Sequence, residues 1–296
     1  MRILATGGAG YVGSRVVDAL LAEGHSVTVL DLFRHWPHRH SDHSRLFHIV
    51  GDIRDARIMA SDLNAPEAIV HMAAIVGEKA CDRDEAEAWG VNVGGTGAIL
   101  SLGLPIVLFS TCSNYGVHRG EAAEDAKLKP LSLYARSKVA AEDMVLEAGG
   151  CVLRLATVCG PTRNTRYDLF VNDLARAAAC KRAFEVYGMK AWRPYVHVGD
   201  VGLALAYMVR KELPPGAWNL VAENLRKSDV VDMARRNFPD LNIVIRQGAK
   251  DLRDYRVSGA KIAAGLGIRP AKSIEDAFNE IAAVCHAERR AMRRAS

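Results

Sequence analysis

Tyr134 and Lys138 stand four residues apart in a helical pattern, so one helix face carries a phenol and an ammonium together. A free tyrosine ionises near pH ~10, too high for a general base at neutrality. A neighbouring positive charge favours the phenolate and lowers that value. Upstream, Ser110-Thr-Cys-Ser-Asn-Tyr-Gly116 follows the apolar run Ile106 to Phe109. A hydroxyl there sits at a strand end, near a substrate oxygen whose proton is to be removed. A lone Y-x-x-x-K arises often by chance; it gains meaning from the elements that hold it.

The first thirteen residues supply those elements. Ile3, Leu4 and Ala5 read as a buried strand, broken at once by Gly7-x-x-Gly10-x-x-Gly13. A helical pattern follows through Val16, Val17, Leu20 and Leu21. Strand, glycine turn and helix in that order place a helix N-terminus at the end of a central strand, where free N–H groups and the helix dipole attract a pyrophosphate. A side chain at Gly7 or Gly10 would hold phosphates off the backbone, and Gly13 lets the helix pack close to the sheet. The next β-rich run, Ser26 to Leu30, ends at Asp31. An acidic residue there accepts hydrogen bonds from the adenosine ribose and repels a 2′-phosphate, which favours NAD over NADP, although Arg34 lies close. The bland reading of Asp31 is the start of a turn.

Strands are expected near 1–6, 26–31, 46–50, 67–72, 104–110 and 150–156, with helices near 11–23, 55–62, 83–101 and 132–148. Such alternation predicts an α/β fold, a Rossmann-type doubly wound parallel sheet. The pattern changes after Gly160-Pro161. Residues 161–194 hold a polar loop, an amphipathic helix (Leu169 to Ala179) and a short strand (Phe184 to Tyr187), and a largely helical block runs from about 223 to 296. The expected division is an NAD-binding domain of residues 1–160 and about 195–222, and a smaller substrate-binding lobe of 161–194 and about 223–296, closing over the C-terminal sheet edge.

Composition narrows the function classes. The 296 residues are 49% hydrophobic and 25% charged, ordinary for a globular protein. The net charge of +5 is concentrated in the tail at Arg289, Arg290, Arg293 and Arg294, a pattern of a solvated helix end and not of nucleic-acid binding. Six cysteines without a C-x-x-C pair read as free thiols in a reducing compartment. With no signal-like N-terminus and no apolar run near ~20 residues, a cytoplasmic protein without membrane contact is expected. Four histidines within Arg34 to His43 lack supporting ligand spacing, so a surface loop beside the adenosine is favoured over a metal site.

Taken in order, Thr6 to Gly13, Gly51-Asp-Ile-Arg54, His71-Met-Ala-Ala74, Val91-Asn-Val93, Ser110 to Gly116, Tyr134 to Lys138 and Arg193 to Asp200 resemble the extended short-chain dehydrogenase/reductases, in particular the nucleotide-sugar epimerases and dehydratases. The resemblance covers nearly the whole chain. It implies that Tyr11 and Val12 give backbone N–H groups to the pyrophosphate and that Asp52 and Ile53 contact the adenine. Met72, Ala73 and Ala74 would line the cofactor path, with Asn92 nearby. Thr111 falls at the catalytic Ser/Thr position, Tyr134 at the base and Lys138 at the lysine that holds the nicotinamide ribose. Arg193 matches an arginine that grips the substrate diphosphate, with Asn172 near another such position and Ser113 on the substrate side. A homodimer through the helices near 83–101 and 132–148 is implied too.

Two departures bear on the reaction. Sugar 4,6-dehydratases carry Asp-Glu where this chain has Cys112-Ser113, and elimination of water needs a carboxyl to protonate the departing hydroxyl. The related decarboxylases have Glu at the place of Ser113. Cys112 reads either as an acid/base beside a ketone or as a small buried thiol. Leu155-Ala-Thr157 stands where 4-epimerases have an aromatic residue and Asn. His197 and Asp200 look catalytic alone, but here read as a strand-to-helix connection; Trp192 suits either sugar stacking or lobe packing. The expected function is an NAD-dependent nucleotide-sugar epimerase, with a one-way dehydrogenase or ketoreductase, or a non-catalytic NAD(P) sensor, as alternatives.

Overall fold

The computed structural model describes residues 1–34, 43–61, 63–247 and 253–295, with side chains as far as residue 292. The histidines between positions 35 and 42 lie outside the described residues. In chain order, β1 (Arg2–Thr6), α1 (Tyr11–Ala22), β2 (Ser26–Asp31), β3 (Leu46–Val50), α2 (Ala56–Met59) and β4 (Ala68–His71) come first. Then follow α3 (Glu78–Cys81), α4 (Glu85–Trp89), a π-helical turn (Gly90–Gly94), α5 (Gly95–Leu100) and β5 (Ile106–Thr111). A 3-10 turn (Cys112–Tyr115), β6 (Val117–Ala122), α6 (Leu133–Glu147), β7 (Cys151–Leu155) and β8 (Thr157–Cys159) lead to α7 (Phe170–Cys180). Next are β9 (Phe184–Val186), β10 (Trp192–His197), α8 (Val198–Arg210), β11 (Gly216–Leu220), β12 (Glu223–Arg226) and α9 (Lys227–Asn237). Last come β13 (Ile243–Ile245), β14 (Asp254–Val257), α10 (Ala260–Leu266) and α11 (Ile274–Ala295).

Seven strands form one sheet in the order β11-β7-β5-β4-β1-β2-β3, every pair parallel. Alternate residues of each strand face opposite sides, so both faces need apolar cover. Ile3, Ala5, Val70 and Leu153 pack with α1 and α8, whereas Leu4, Ile69, Leu108 and Val152 pack with Ile99 of α5 and Ala141 and Val145 of α6. The order reverses between β1 and β4, because β2 and β3 wind one way and the later strands the other. That switch opens a crevice beyond the C-terminal ends of β1 and β4, where ligands of open α/β sheets bind.

A second core joins α7, α9 and α11 with Phe184, Val186 and Tyr195. In two smaller sheets, β10 lies between β12 and β8, and β13 pairs with β9. Beyond the sequence expectation, β14 pairs with β6, and Tyr255, Val257, Ile262 and Ile268 join the core on the α1 and α8 side. The helix expected over 83–101 runs unbroken from Glu85 to Leu100, with a π-helical turn at Gly90–Gly94 inside it. Asn92, in the middle of that turn, points inward and bonds the Ile75 peptide. Among the described residues, no helix is long and apolar enough to cross a membrane.

Candidate active site

The glycine turn is held by contacts with its own neighbourhood. Gly7 has φ +68°, and a Cβ there would lie 2.6 Å from the Ala73 nitrogen. The obstacle is thus the chain leaving β4, which differs from the phosphate argument made on sequence. At Gly13 a Cβ would lie 2.2 Å from the Gly7 carbonyl oxygen, so the first turn of α1 sits directly on the loop. Gly10 caps α1 in an extended conformation, leaving the helix N-terminal N–H groups facing the crevice. Asp31 ties the turn to β2: its two oxygens accept from the N–H groups of Ala9 at 3.0 Å and Phe33 at 2.9 Å. Each oxygen keeps a lone pair for a ribose hydroxyl. Asp52 is gripped by Arg54 at 2.7 Å, and that guanidinium holds the carboxyl below the usual range.

A cleft of about 930 Å³ runs from Asp31 and Asp52 past the glycine turn to Tyr134. Nearly all the predicted site residues line it: Gly7, Gly10, Tyr11, Val12, Gly13, Asp31, Asp52, Ile53, Met72, Ala73, Ala74, Thr111, Ser113, Tyr134, Lys138 and Arg193. The structure does not bring Asn92 or Asn172 to the wall. Asn92 accepts from the Ile75 N–H at 2.8 Å and donates to Ser137 Oγ at 3.0 Å. Asn172 accepts from the Gly160 N–H at 3.2 Å and donates to the Tyr11 hydroxyl at 3.2 Å. Both stand behind the cleft and brace its wall. An extended dinucleotide fits this shape, with an anion-seeking helix end at mid-length, a carboxylate at one end and an unpaired lysine at the other.

At the chemical end, Ser132 caps α6, its Oγ accepting from the Ala135 N–H at 3.2 Å, and this sets Tyr134 and Lys138 on the first turns. The Tyr134 ring packs beside Cys81, Ala88 and Leu133. Neither its hydroxyl nor Lys138 Nζ has a hydrogen-bond partner among the described residues. Burial pushes the Tyr134 phenol up and the Lys138 ammonium down to about 8, the latter opposed by Glu142. Thr111 Oγ1 accepts from the Ser113 N–H at 3.1 Å and lies 2.9 Å from Ser113 Oγ, so the two hydroxyls share one corner.

Lys138 makes a pH prediction for protein stripped of nucleotide. Its folded value of about 8 lies below the ordinary 10.5, so between these values the unfolded chain holds a proton that the folded chain has released. Unfolding then takes up a proton, and stability rises with pH, with a slope approaching ~1.4 kcal/mol per pH unit. Urea unfolding of the wild type and of Lys138→Met across this window is expected to show the rise in the difference between them. A flat difference would place a hydrated, ordinary lysine there.

Cys112 is buried, its thiol donating to the Arg154 carbonyl at 3.4 Å, and burial pushes its pKa up. It is the small packed thiol and is absent from the cleft wall. His197 caps α8, its Nδ1 accepting from the Gly199 N–H at 2.9 Å, and its Nε2 lies 3.0 Å from Glu280. Trp192 lies between the guanidinium groups of Arg226 and Arg256.

The polar loop expected after Pro161 lines the cleft, but sequence reasoning singled out none of the residues it contributes. Asn164 donates to the Ala9 carbonyl at 3.3 Å, and Arg166, paired with Asp168 at 2.5 Å, lines the wall near Gly77. Arg253 reaches Glu78 at 3.4 Å, and both residues line the same cleft. Loop arginines have no periodicity to mark them; the change in pattern after Pro161 was the available signal. No group of three or more His, Cys, Asp or Glu among the described residues is placed to hold a metal.

A family model described as the NAD dependent epimerase/dehydratase family matches residues 3–220. A 3 beta-hydroxysteroid dehydrogenase/Delta 5→4-isomerase of Mycobacterium tuberculosis is 30% identical over 239 residues, 73% of this chain but 63% of the relative, under two thirds of its length. A UDP-glucose 4-epimerase of Streptomyces lividans is 28% identical over 308 residues, covering 92% of each chain. Among solved structures, MoeE5 in complex with UDP-glucuronic acid and NAD superposes with a TM-score of 0.83 at 26% identity, over 95% of this chain and 97% of that one. The matched span contains the glycine turn, Asp31 and the Thr111, Tyr134 and Lys138 corner that share one cleft at the sheet's switch point. The chain belongs to the NAD dependent epimerase/dehydratase family.

Proposed function

We infer that this protein interconverts epimers of a nucleotide-activated sugar through a transient keto-sugar. The observation that carries the reading is that Thr111, Tyr134 and Lys138 line one cleft, with Cys112-Ser113 standing where a dehydratase would have its acid pair. NAD, when bound, supplies the acceptor that takes a hydride from the sugar carbon and returns it. Tyr134 takes the proton of the sugar hydroxyl, and Thr111 orients that oxygen. Lys138 would hold the nicotinamide ribose, and its ammonium would favour the phenolate. Asp31 would receive the adenosine ribose, and the α1 N-terminus at Tyr11 and Val12 the pyrophosphate. Arg193 sits on the cleft wall, buried against Tyr255, where a substrate diphosphate would be met. Asn172 acts behind it, through Gly160 and Tyr11. Return of hydride to the opposite face requires the keto-sugar to turn, and small residues at Ser113 and Ala156 leave room for that.

A one-way dehydrogenase or ketoreductase is the second reading, favoured by the likeness to the mycobacterial steroid dehydrogenase. Native mass spectrometry of the purified protein, then incubation with UDP-glucose and other nucleotide sugars, separates the two. Retained NAD and a sugar nucleotide returned as an isomer of unchanged mass are expected. An empty cofactor site, with turnover dependent on added NAD(P)H, would establish a reductase instead. The same spectrum reads the mass of the homodimer expected through α4, α5 and α6.

A further inference from the structure

His71 closes β4 in the middle of the sheet, fully enclosed, and the reaction above does not use it. Both ring nitrogens are nevertheless engaged: Nδ1 lies 2.7 Å from Thr6 Oγ1, and Nε2 lies 3.1 Å from Thr96 Oγ1. Geometry places every proton in this cluster. Thr96 has one hydroxyl proton, and it goes to the Asn92 carbonyl at 2.7 Å, which can only accept. Thr96 Oγ1 therefore accepts from His71, and the ring proton is on Nε2. Burial and the nearby Lys138 ammonium push the His71 pKa down to about 3, so Nδ1 carries a lone pair. Thr6 must then donate to Nδ1, which leaves its oxygen to accept from the N–H groups of Met72 at 3.2 Å and Ala73 at 3.3 Å.

The two ends of this chain of bonds belong to the cleft. Thr6 directly precedes Gly7, and Met72 and Ala73 line the cofactor path. At the far end Asn92 clamps the Ile75 peptide and donates to Ser137, whose hydroxyl donates to the Tyr134 carbonyl at 2.8 Å. An imidazolium, with two donors and no acceptor, would force Thr6 to turn its proton toward the two backbone N–H groups.

We propose that His71 is a positioning residue: as a neutral ring protonated on Nε2, it holds the glycine turn and the Met72 to Ala74 segment in register with the helix that carries Tyr134 and Lys138. The role rests on the reading of this cleft as an NAD and sugar site, and it is independent of which sugar binds. Two substitutions of similar shape cut the chain at different joints. In His71→Asn the amide oxygen keeps the bond from Thr6 and the donor to Thr96 is lost. In His71→Gln the longer amide keeps the donor to Thr96 and the acceptor for Thr6 is lost.

The readouts are NAD⁺ affinity of nucleotide-free protein by calorimetry and the Tyr134 phenol titration in the NAD⁺ complex, taken as an ultraviolet difference against Tyr134→Phe in the same background. His71→Gln is expected to weaken NAD⁺ about ten-fold, the effect of one orphaned buried partner, with the phenol titration unchanged. His71→Asn is expected to move the phenol titration upward while NAD⁺ affinity stays within about three-fold. Thr96→Val should repeat the His71→Asn result. Equal losses in both readouts for every variant, tracking stability, would overturn the role and leave His71 as core packing. Should the His71 variants not fold, Thr96→Val decides alone, and a wild-type phenol titration in it overturns the proposal. Failure of the wild-type protein to bind NAD⁺ would instead overturn the reading of the cleft itself.

Discussion

Tyr134→Phe is expected to lower turnover roughly 10²–10⁴-fold, the range for loss of a positioned general acid or base, with fold and bound NAD retained. The substitution deletes one oxygen and leaves the ring against Cys81, Ala88 and Leu133. Because that hydroxyl has no partner among the described residues, its removal orphans nothing and stability should hardly change. Burial, with Cys81 beside it, pushes the phenol up, the wrong direction for a base at neutral pH. The nearby Arg166 guanidinium opposes that rise only in part, so the rest of the activating charge is expected from the oxidised nicotinamide and Lys138. It follows that KM for the nucleotide sugar should change far less than kcat, since Tyr134 acts on the hydroxyl only as its proton leaves. Steady-state kinetics on an accepted sugar nucleotide checks this, and undiminished turnover would remove Tyr134 from the chemistry.

Arg154→Met is expected to cost about 3–5 kcal/mol, the penalty for stranding one member of a buried ion pair. Glu142 is fully enclosed, and Arg154 contacts it three times, the shortest at 2.7 Å. Arg154 also donates to the Tyr115 hydroxyl at 2.9 Å and to the Glu124 carbonyl at 3.1 Å, while Asn114 donates to Glu142 at 2.7 Å. This cluster fastens the turn carrying Ser113 to α6 one helical turn beyond Lys138, so the loss should reach activity as well as stability. The double variant Arg154→Met, Glu142→Leu should recover most of the loss, because it removes the stranded charge. Urea unfolding of the two variants reads both numbers. A single-variant cost below about 1 kcal/mol would mean that water reaches Glu142 and the pair is not a buried one.

The glycine turn, the strands over 1–6, 26–31 and 46–50, and the Tyr134 and Lys138 pair were legible in the sequence. Each is a local pattern: a strand alternates with period two, a helix face repeats within four residues, and a glycine turn is read in thirteen residues. The same locality explains what was missed. Asn92 and Asn172 stand in motifs associated with ligands, yet they turn their amides to the Ile75 peptide and to Gly160. Cys112, by contrast, is the small buried thiol read from the sequence, because the 3-10 turn after β5 sends Thr111 and Ser113 to the cleft and Cys112 into the core.

The sequence by itself determined the fold class, the dinucleotide turn and the residue types of the chemistry. Only the tertiary structure decided which polar side chains face the cleft and which are spent behind it. His71 meets partners at positions 6 and 96, Arg154 meets Glu142 and Tyr115, and Arg166 arrives from a loop with no regular pattern. A buried polar group must be satisfied by whatever the fold brings near it, and that partner lies at no set distance along the chain.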